Sequence, residues 1–173
     1  SNDALILTGQ TRCSWSMWRD AKRLANGYQM ISEMLVNHDG TIVWALARTP
    51  AGRALLRNGT VVNGPEDNVV SFSASRDGTR VAVLRDLSDA TGTRGRLQIT
   101  GLPDRDIDTV WGPLSAVFST DGKAVAYIVT TAEGKQMASY NGEDGRPYEV
   151  VRDLLLSPNG GSLAYIAVPS NGT

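Results

Sequence analysis

At 173 residues and 18.5 kDa, the chain is long enough for one well-cored domain. Its 41% hydrophobic and 20% charged content excludes a disordered, collagen-like or coiled-coil chain. Seventeen Lys and Arg against eighteen Asp and Glu give a net charge of -1, so no basic surplus exists for nucleic acid, no apolar run is long enough for a membrane span, and the single Cys13 excludes an internal disulfide or a multi-cysteine zinc site.

In chain order, the sequence predicts short strands separated by glycine-bearing turns. Ala4–Thr8 and Ser14–Trp18 read as strands, Trp18–Leu24 as the best helix candidate and a connector, and Tyr28–Ile31 as a strand closing that group. The segment LVNHDGTIVWALA (35–47) then reads as a hairpin, followed by strands at Arg53–Arg57 and Thr60–Asn63. SASRDGTRVAVL (73–84) is the next hairpin, with strands at Arg96–Thr100 and Asp108–Trp111. VFSTDGKAVAYIV (117–129) leads into Lys135–Tyr140 and Tyr148–Val151. LLSPNGGSLAYIA (155–167) gives a last pair, near Leu154–Ser157 and Ser162–Val168.

The four hairpins are copies of one unit. Their turn glycines, Gly40, Gly78, Gly122 and Gly160, are spaced by 38, 44 and 38 residues. Asp-Gly and Asn-Gly tolerate the positive φ that turns between antiparallel strands need. A small residue recurs in the strand after the turn (Ala82, Ala126, Ala164), where neighbouring sheets can approach; Trp44 holds that place in the first copy. Repeats of about 40–50 residues, each rich in short strands, mark propeller blades. The expected fold is therefore all-β: a β-propeller or partial propeller of about four blades, each a four-stranded antiparallel sheet. As a single domain over 1–173, it divides into a partial blade 1–32, blades 33–64, 70–112 and 115–151, and a partial blade 152–173. Two readings stay open, a fragment of a larger propeller and a closed four-bladed ring. A second copy covering open blade edges is an expected partner of the first reading.

The copies FSTDGKAVAYIV and LLSPNGGSLAYIA resemble the repeat of TolB-type, WD40-like bacterial propellers, in which Ser-Pro-Asp-Gly precedes an Ala-Tyr or Ala-Phe strand. Ser157-Pro158-Asn159-Gly160 comes nearest, and Asn37-His38-Asp39-Gly40 departs most. The resemblance implies a propeller that binds other proteins or small ligands, often outside the cytoplasm and with the periplasm favoured; with no catalytic constellation in the sequence, the expected function is a non-enzymatic protein- or peptide-binding module. The resemblance also admits an accessory propeller of a peptidase-like enzyme, or the ectodomain of an envelope sensor or lipoprotein. It supplies no catalytic residue and no cofactor.

Candidate chemistry is sparse. His38 is the only histidine and replaces Arg76, Thr120 and Pro158 of sister turns, so it reads as a turn residue. No serine elbow or phosphate loop is present. The alternation in Asp104-Arg-Asp106-Ile-Asp108 puts carboxylates on one side of an extended segment, but Thr109 and Ser115 break the calcium-loop pattern, and a solvated loop without metal is expected. Glu66-Asp67 and Glu143-Asp144-Gly145 read as polar loops, and Asn58-Gly-Thr60 matches a glycosylation sequon. A propeller binds through the loops that join its second to third and fourth to first strands. The longest of these is Arg85–Gly95, so the candidate ligand-binding residues are Arg85, Asp86, Asp89 and Arg94, with Trp111 as aromatic anchor.

Overall fold

A computed structural model describes residues 6–11, 14–88, 94–107 and 114–169. The elements are β1 (Ile6–Thr11), β2 (Ser14–Arg19), β3 (Lys22–Tyr28), β4 (Met30–Val36), β5 (Val43–Thr49), β6 (Gly52–Arg57), β7 (Thr60–Asn63), a 3-10 turn (Pro65–Asp67), β8 (Val69–Ala74), β9 (Val81–Asp86), β10 (Gly95–Ile99), β11 (Arg105–Ile107), β12 (Ala116–Phe118), β13 (Val125–Thr130), β14 (Gln136–Tyr140), β15 (Glu143–Asp144), β16 (Val150–Leu156) and β17 (Leu163–Val168). They form antiparallel meanders, each strand beside the one before it: β1-β2-β3, β4-β5-β6-β7, β8-β9-β10-β11, β12-β13-β14-β15 and β16-β17. The fold is all-β and built of propeller-type blades. The chain divides into two compact units, Ser1–Val70 and Ser71–Thr173. No helix among the described residues is long and apolar enough to cross a membrane.

One hydrogen-bond pattern builds each repeated turn. Ser75, Ser119 and Ser157 each accept, on Oγ, the backbone N–H five residues on, from Arg80, Ala124 and Ser162 at 3.0, 2.9 and 3.0 Å. Each hydroxyl donates to the side-chain oxygen two residues ahead, on Asp77, Asp121 or Asn159. In the first copy Asn37 stands in for the serine, and its Oδ1 accepts the N–H of Ile42 at 2.8 Å. Only the glycine is left-handed, at φ 75, 73, 70 and 68 for Gly40, Gly78, Gly122 and Gly160. The aspartate is there as an acceptor, so the expectation that Asp and Gly both serve positive φ holds for the glycine alone.

A second device aligns strands two and three. Asn58, Thr100 and Asn141 follow the third strands, and their side-chain oxygens accept the N–H of Val43, Val81 and Val125. Asn58-Gly59 and Asn141-Gly142 then turn at once through positive φ at both residues, the two-residue hairpin turn of antiparallel strands. In two of the three full blades the fourth strand starts earlier than the sequence suggests. Thr60–Asn63 is found as expected. In the next blade Arg105–Ile107 takes the fourth place, after a turn at Gly101 (φ 84), while the expected Asp108–Trp111 lies outside the described residues. In the blade after that, Glu143–Asp144 takes it, and the expected Tyr148–Val151 is divided between a bridge from Tyr148 to Gln136 and the start of β16. Tyr28–Ile31 is likewise divided: β3 ends at Tyr28 and β4 begins at Met30.

Trp18–Leu24 is not helical. It is the tip of the β2–β3 hairpin, turning through Asp20 and Ala21 at φ 48 and 63. Trp18 pairs with Arg23, whose guanidinium lies 5.7 Å over the indole, while Met17 points into the core. Alternation of buried and exposed side chains outweighs weak helix propensity here.

In the first unit the core joins two sheets: Met17 and Ala25 pack on Ile31, Val43, Ala45 and Ala47. In the second, Ala82, Leu97 and Ile99 pack on Ala116, Val125 and Tyr127, and Ala126 and Ala138 pack on Val151 and Leu154. Ala82 and Ala126 are fully buried between sheets, as a small residue there should be. Ala164 is exposed, because only one face of β16-β17 is covered. Polar straps from one sheet reach the turn of the next: Arg19 donates to Thr41 O at 2.7 Å, Arg80 to Gly122 O at 2.7 Å and Lys123 O at 2.9 Å, and the Tyr140 hydroxyl to Gly160 O. Apolar burial, at about 1.5–3 kcal/mol per large side chain, carries the stacking, and the straps set its register.

Candidate binding cleft

A cleft of about 290 Å³ opens in the second unit between the outer strand of one blade and the β13–β14 hairpin of the next. Its floor is apolar, formed by Ile107, Val129 and Met137. One wall is Arg105 and Asp106; the other is the hairpin loop Thr130–Glu133. That loop is closed by Thr131 N–H to Lys135 O at 2.8 Å and Gly134 N–H to Thr131 O at 2.9 Å, so the wall is a tight turn.

Arg105 and Asp106 of the cleft are each ion-paired to a neighbour. Arg105 donates Nη1 and Nη2 to the two carboxylate oxygens of Asp144, at 2.6 and 2.7 Å, bridging the outer strands of adjacent blades. Asp144 raises the pKa of that guanidinium, and Arg105 in turn draws the Asp144 carboxyl below the usual carboxylate range. Arg96 binds Asp106 in the same forked way, at 2.7 and 3.2 Å, and lowers its pKa, with a smaller contribution from Arg94.

The strand register shows where the expected ligand residues fall. Arg85, Arg96 and Asp106 form one row across β9, β10 and β11, and Asp86, Gly95 and Ile107 form the next. Arg85 and Asp86 therefore stand at the same end of the sheet as the cleft, two strands away. Arg85 donates to Gln98 at 3.3 Å, and Asp86 accepts the Ser88 N–H at 2.8 Å. Leu87 N–H to Arg94 O, at 2.8 Å, closes the base of the loop. Asp89 and Trp111 lie outside the described residues, as does Cys13.

Other expectations are redrawn. The acidic segment is not a solvated loop: Arg105–Ile107 is a strand, Asp106 pairs with Arg96, Asp104 accepts from Gln98 at 2.8 Å, and Asp108 lies outside the described residues. Glu143–Asp144 is also a strand, and Asp144 anchors the Arg105 clamp. Glu66-Asp67 belongs to a 3-10 turn in which Asp67 accepts the Gly64 N–H at 2.9 Å. His38 is an exposed turn residue. The Asn58 sequon amide is engaged on both atoms, by Val43 N–H and Thr41 O. No group of three His, Cys, Asp or Glu side chains able to hold a metal occurs among the described residues. The Arg105–Asp144 pair has no local sequence signal, since its members are 39 residues apart.

No protein-family model and no curated protein matches the chain. Among solved structures the chain is similar to the crystal structure of TolB from Acinetobacter baumannii, at 17% identity and a TM-score of 0.48, over 82% of this chain and 39% of that one. The chain thus spans well under half the length of that protein.

Proposed function

We propose that this protein is a non-enzymatic binding module that takes a protein segment or peptide at the cleft beside β11. The observation that carries this reading is the cleft itself: Ile107, Val129 and Met137 beside Arg105 and Asp106, both of which are already ion-paired. Such a site offers shape, apolar contact and an exposed strand edge rather than reactive groups. Arg85, Asp86 and Arg94 extend the recognition surface along the same end of the sheet. A periplasmic or other extracytoplasmic setting agrees with the resemblance of the repeats to envelope propellers.

Selection of displayed random peptides on the immobilised protein tests the reading. Enriched sequences are expected to contain an apolar residue that fills the floor. Ile107→Arg or Met137→Arg should weaken their binding by about tenfold or more, with the circular dichroism spectrum unchanged. Absence of enrichment, or peptides that bind both variants as well as the parent, would overturn it.

A further inference from the structure

An asparagine followed by glycine is open to attack on its side-chain amide by the next backbone nitrogen, because glycine has no Cβ to shield that nitrogen. Six such pairs occur in the chain, at Asn26, Asn58, Asn63, Asn141, Asn159 and Asn171, the last outside the described residues. The fold ties four of them. Asn58 Oδ1 accepts the Val43 N–H at 2.8 Å, and its Nδ2 donates to Thr41 O at 3.1 Å. Asn63 Nδ2 donates to Asp67 at 3.4 Å, and the Gly64 N–H donates to the same carboxylate at 2.9 Å. Asn159 Oδ1 accepts the Gly161 N–H at 3.1 Å, and the Gly160 N–H donates to Ser157 O at 2.8 Å. Asn141 Oδ1 accepts the Val125 N–H at 2.9 Å. Asn26 is different: it is exposed and makes no side-chain hydrogen bond among the described residues. Trp15 pairs with Tyr28 and Met17 with Ala25, so Asn26 and Gly27 together stand opposite Ser16, a bulge in the edge strand of their sheet. Gly27 has φ 83, and nothing lies within 4 Å of where a Cβ would stand.

We propose that Asn26-Gly27 is a site of spontaneous deamidation in the folded protein. Hydroxide takes the Gly27 amide proton, and the nitrogen attacks Asn26 Cγ. The new N–Cγ bond closes a cyclic imide as the Cγ–Nδ2 bond breaks, and the amide nitrogen leaves as ammonia with a proton from water. Water then opens the imide. Opening at Cγ gives an aspartate. Opening at the backbone carbonyl gives an isoaspartate, whose main chain runs through Cγ and is one methylene longer. Either product adds a negative charge to β3. The isoaspartate also lengthens the strand between the pairs that hold Ala25 to Met17 and Tyr28 to Trp15, and Met17 and Ala25 belong to the core.

The test keeps the whole chain in mildly alkaline buffer at physiological temperature, native and in concentrated urea, and maps timed samples by proteolysis in acid and mass spectrometry. In the native protein Asn26 is expected to gain one mass unit first, about tenfold faster than Asn58, Asn63 and Asn159, with isoaspartate as the larger product. In urea the sites should converge, since the bonds that separate them are gone. Asn26→Gln should remove the early conversion and leave the slow ones. Asn58, Asn63 or Asn159 converting as fast as Asn26 in the native protein would overturn the proposal. So would an Asn26 left unchanged over a time in which the urea-unfolded chain converts.

Discussion

β13 (Val125–Thr130) and β17 (Leu163–Val168) share the run Ala-Tyr-Ile, yet β13 is largely buried on both faces and β17 is half-buried and exposed by turns. The covered copy sits between two sheets, and the other has a neighbour on one side only. An apolar strand of this kind is therefore not a strand with a solvent face. It is a strand made for two neighbours, and its burial is set by what lies beside it. The same contrast runs through the turns: Ser119 is buried, and its sister Ser157 is only partly so.

The largest effect is expected where the two copies touch. Gly160 has φ +68, and a Cβ built there would lie 2.5 Å from Ala124 Cβ and 3.2 Å from the Ser119 side chain. Gly160→Ala combines left-handed strain of about 1–2 kcal/mol with overpacking of about 1–3 kcal/mol, a loss near 3 kcal/mol. Gly122→Ala meets the Asp77 carboxylate at 3.6 Å and Ser75 Cβ at 3.8 Å, both ordinary contacts, and should lose the strain alone, about 1 kcal/mol. Equal losses in urea denaturation would break the claim that the last turn is wedged against its neighbour. Next in size is Ala126→Leu, which forces bulk between fully covered sheets and should cost about 2 kcal/mol. Ala164→Leu on the open face should stay within about 0.5 kcal/mol of the parent in urea denaturation. Ser119→Ala strands the buried Ala124 N–H and should cost about 1–3 kcal/mol, against about 1 kcal/mol or less for Ser157→Ala, where water can replace the hydroxyl. Matching losses at the two serines would show that burial does not separate them.

The difference between the copies also explains what could be read in advance. The four Asp/Asn-Gly turns and the second and third strands were legible, because each turn closes within six residues and the strand pattern repeats around it. The fourth strands of the two later full blades were not, since their starts depend on turns beside Thr100 and Asn141, whose side chains bind backbone on another strand. The Trp18–Leu24 hairpin misled for a related reason: Asp20 and Ala21 are not glycine, yet both are left-handed. Of the expected ligand residues, Arg85 and Asp86 are placed by topology at the end of the sheet where the cleft lies. The Arg105–Asp144 clamp was not legible, because it joins residues far apart in sequence that only blade stacking brings together.

The smallest predicted effect separates the turns by titration. Ser119 donates its hydroxyl proton to Asp121, and this bond, followed by the Lys123 N–H, draws the Asp121 carboxyl below its ordinary value. A carboxyl with a depressed folded pKa stabilises the protein above its unfolded pKa, about 3.9, and that contribution is lost as pH falls through the lower folded value. Asn159 occupies the equivalent place in the last turn, accepts the same kind of bond from Ser157, and has no proton to gain. Asp121→Asn should therefore flatten the fall of stability below about pH 4, while Asn159→Asp should steepen it, both read as denaturation midpoints down a pH series. The exposed carboxyl makes either change small. An acid limb left untouched by Asn159→Asp would mean that the serine hydroxyl does not act alike in the two turns.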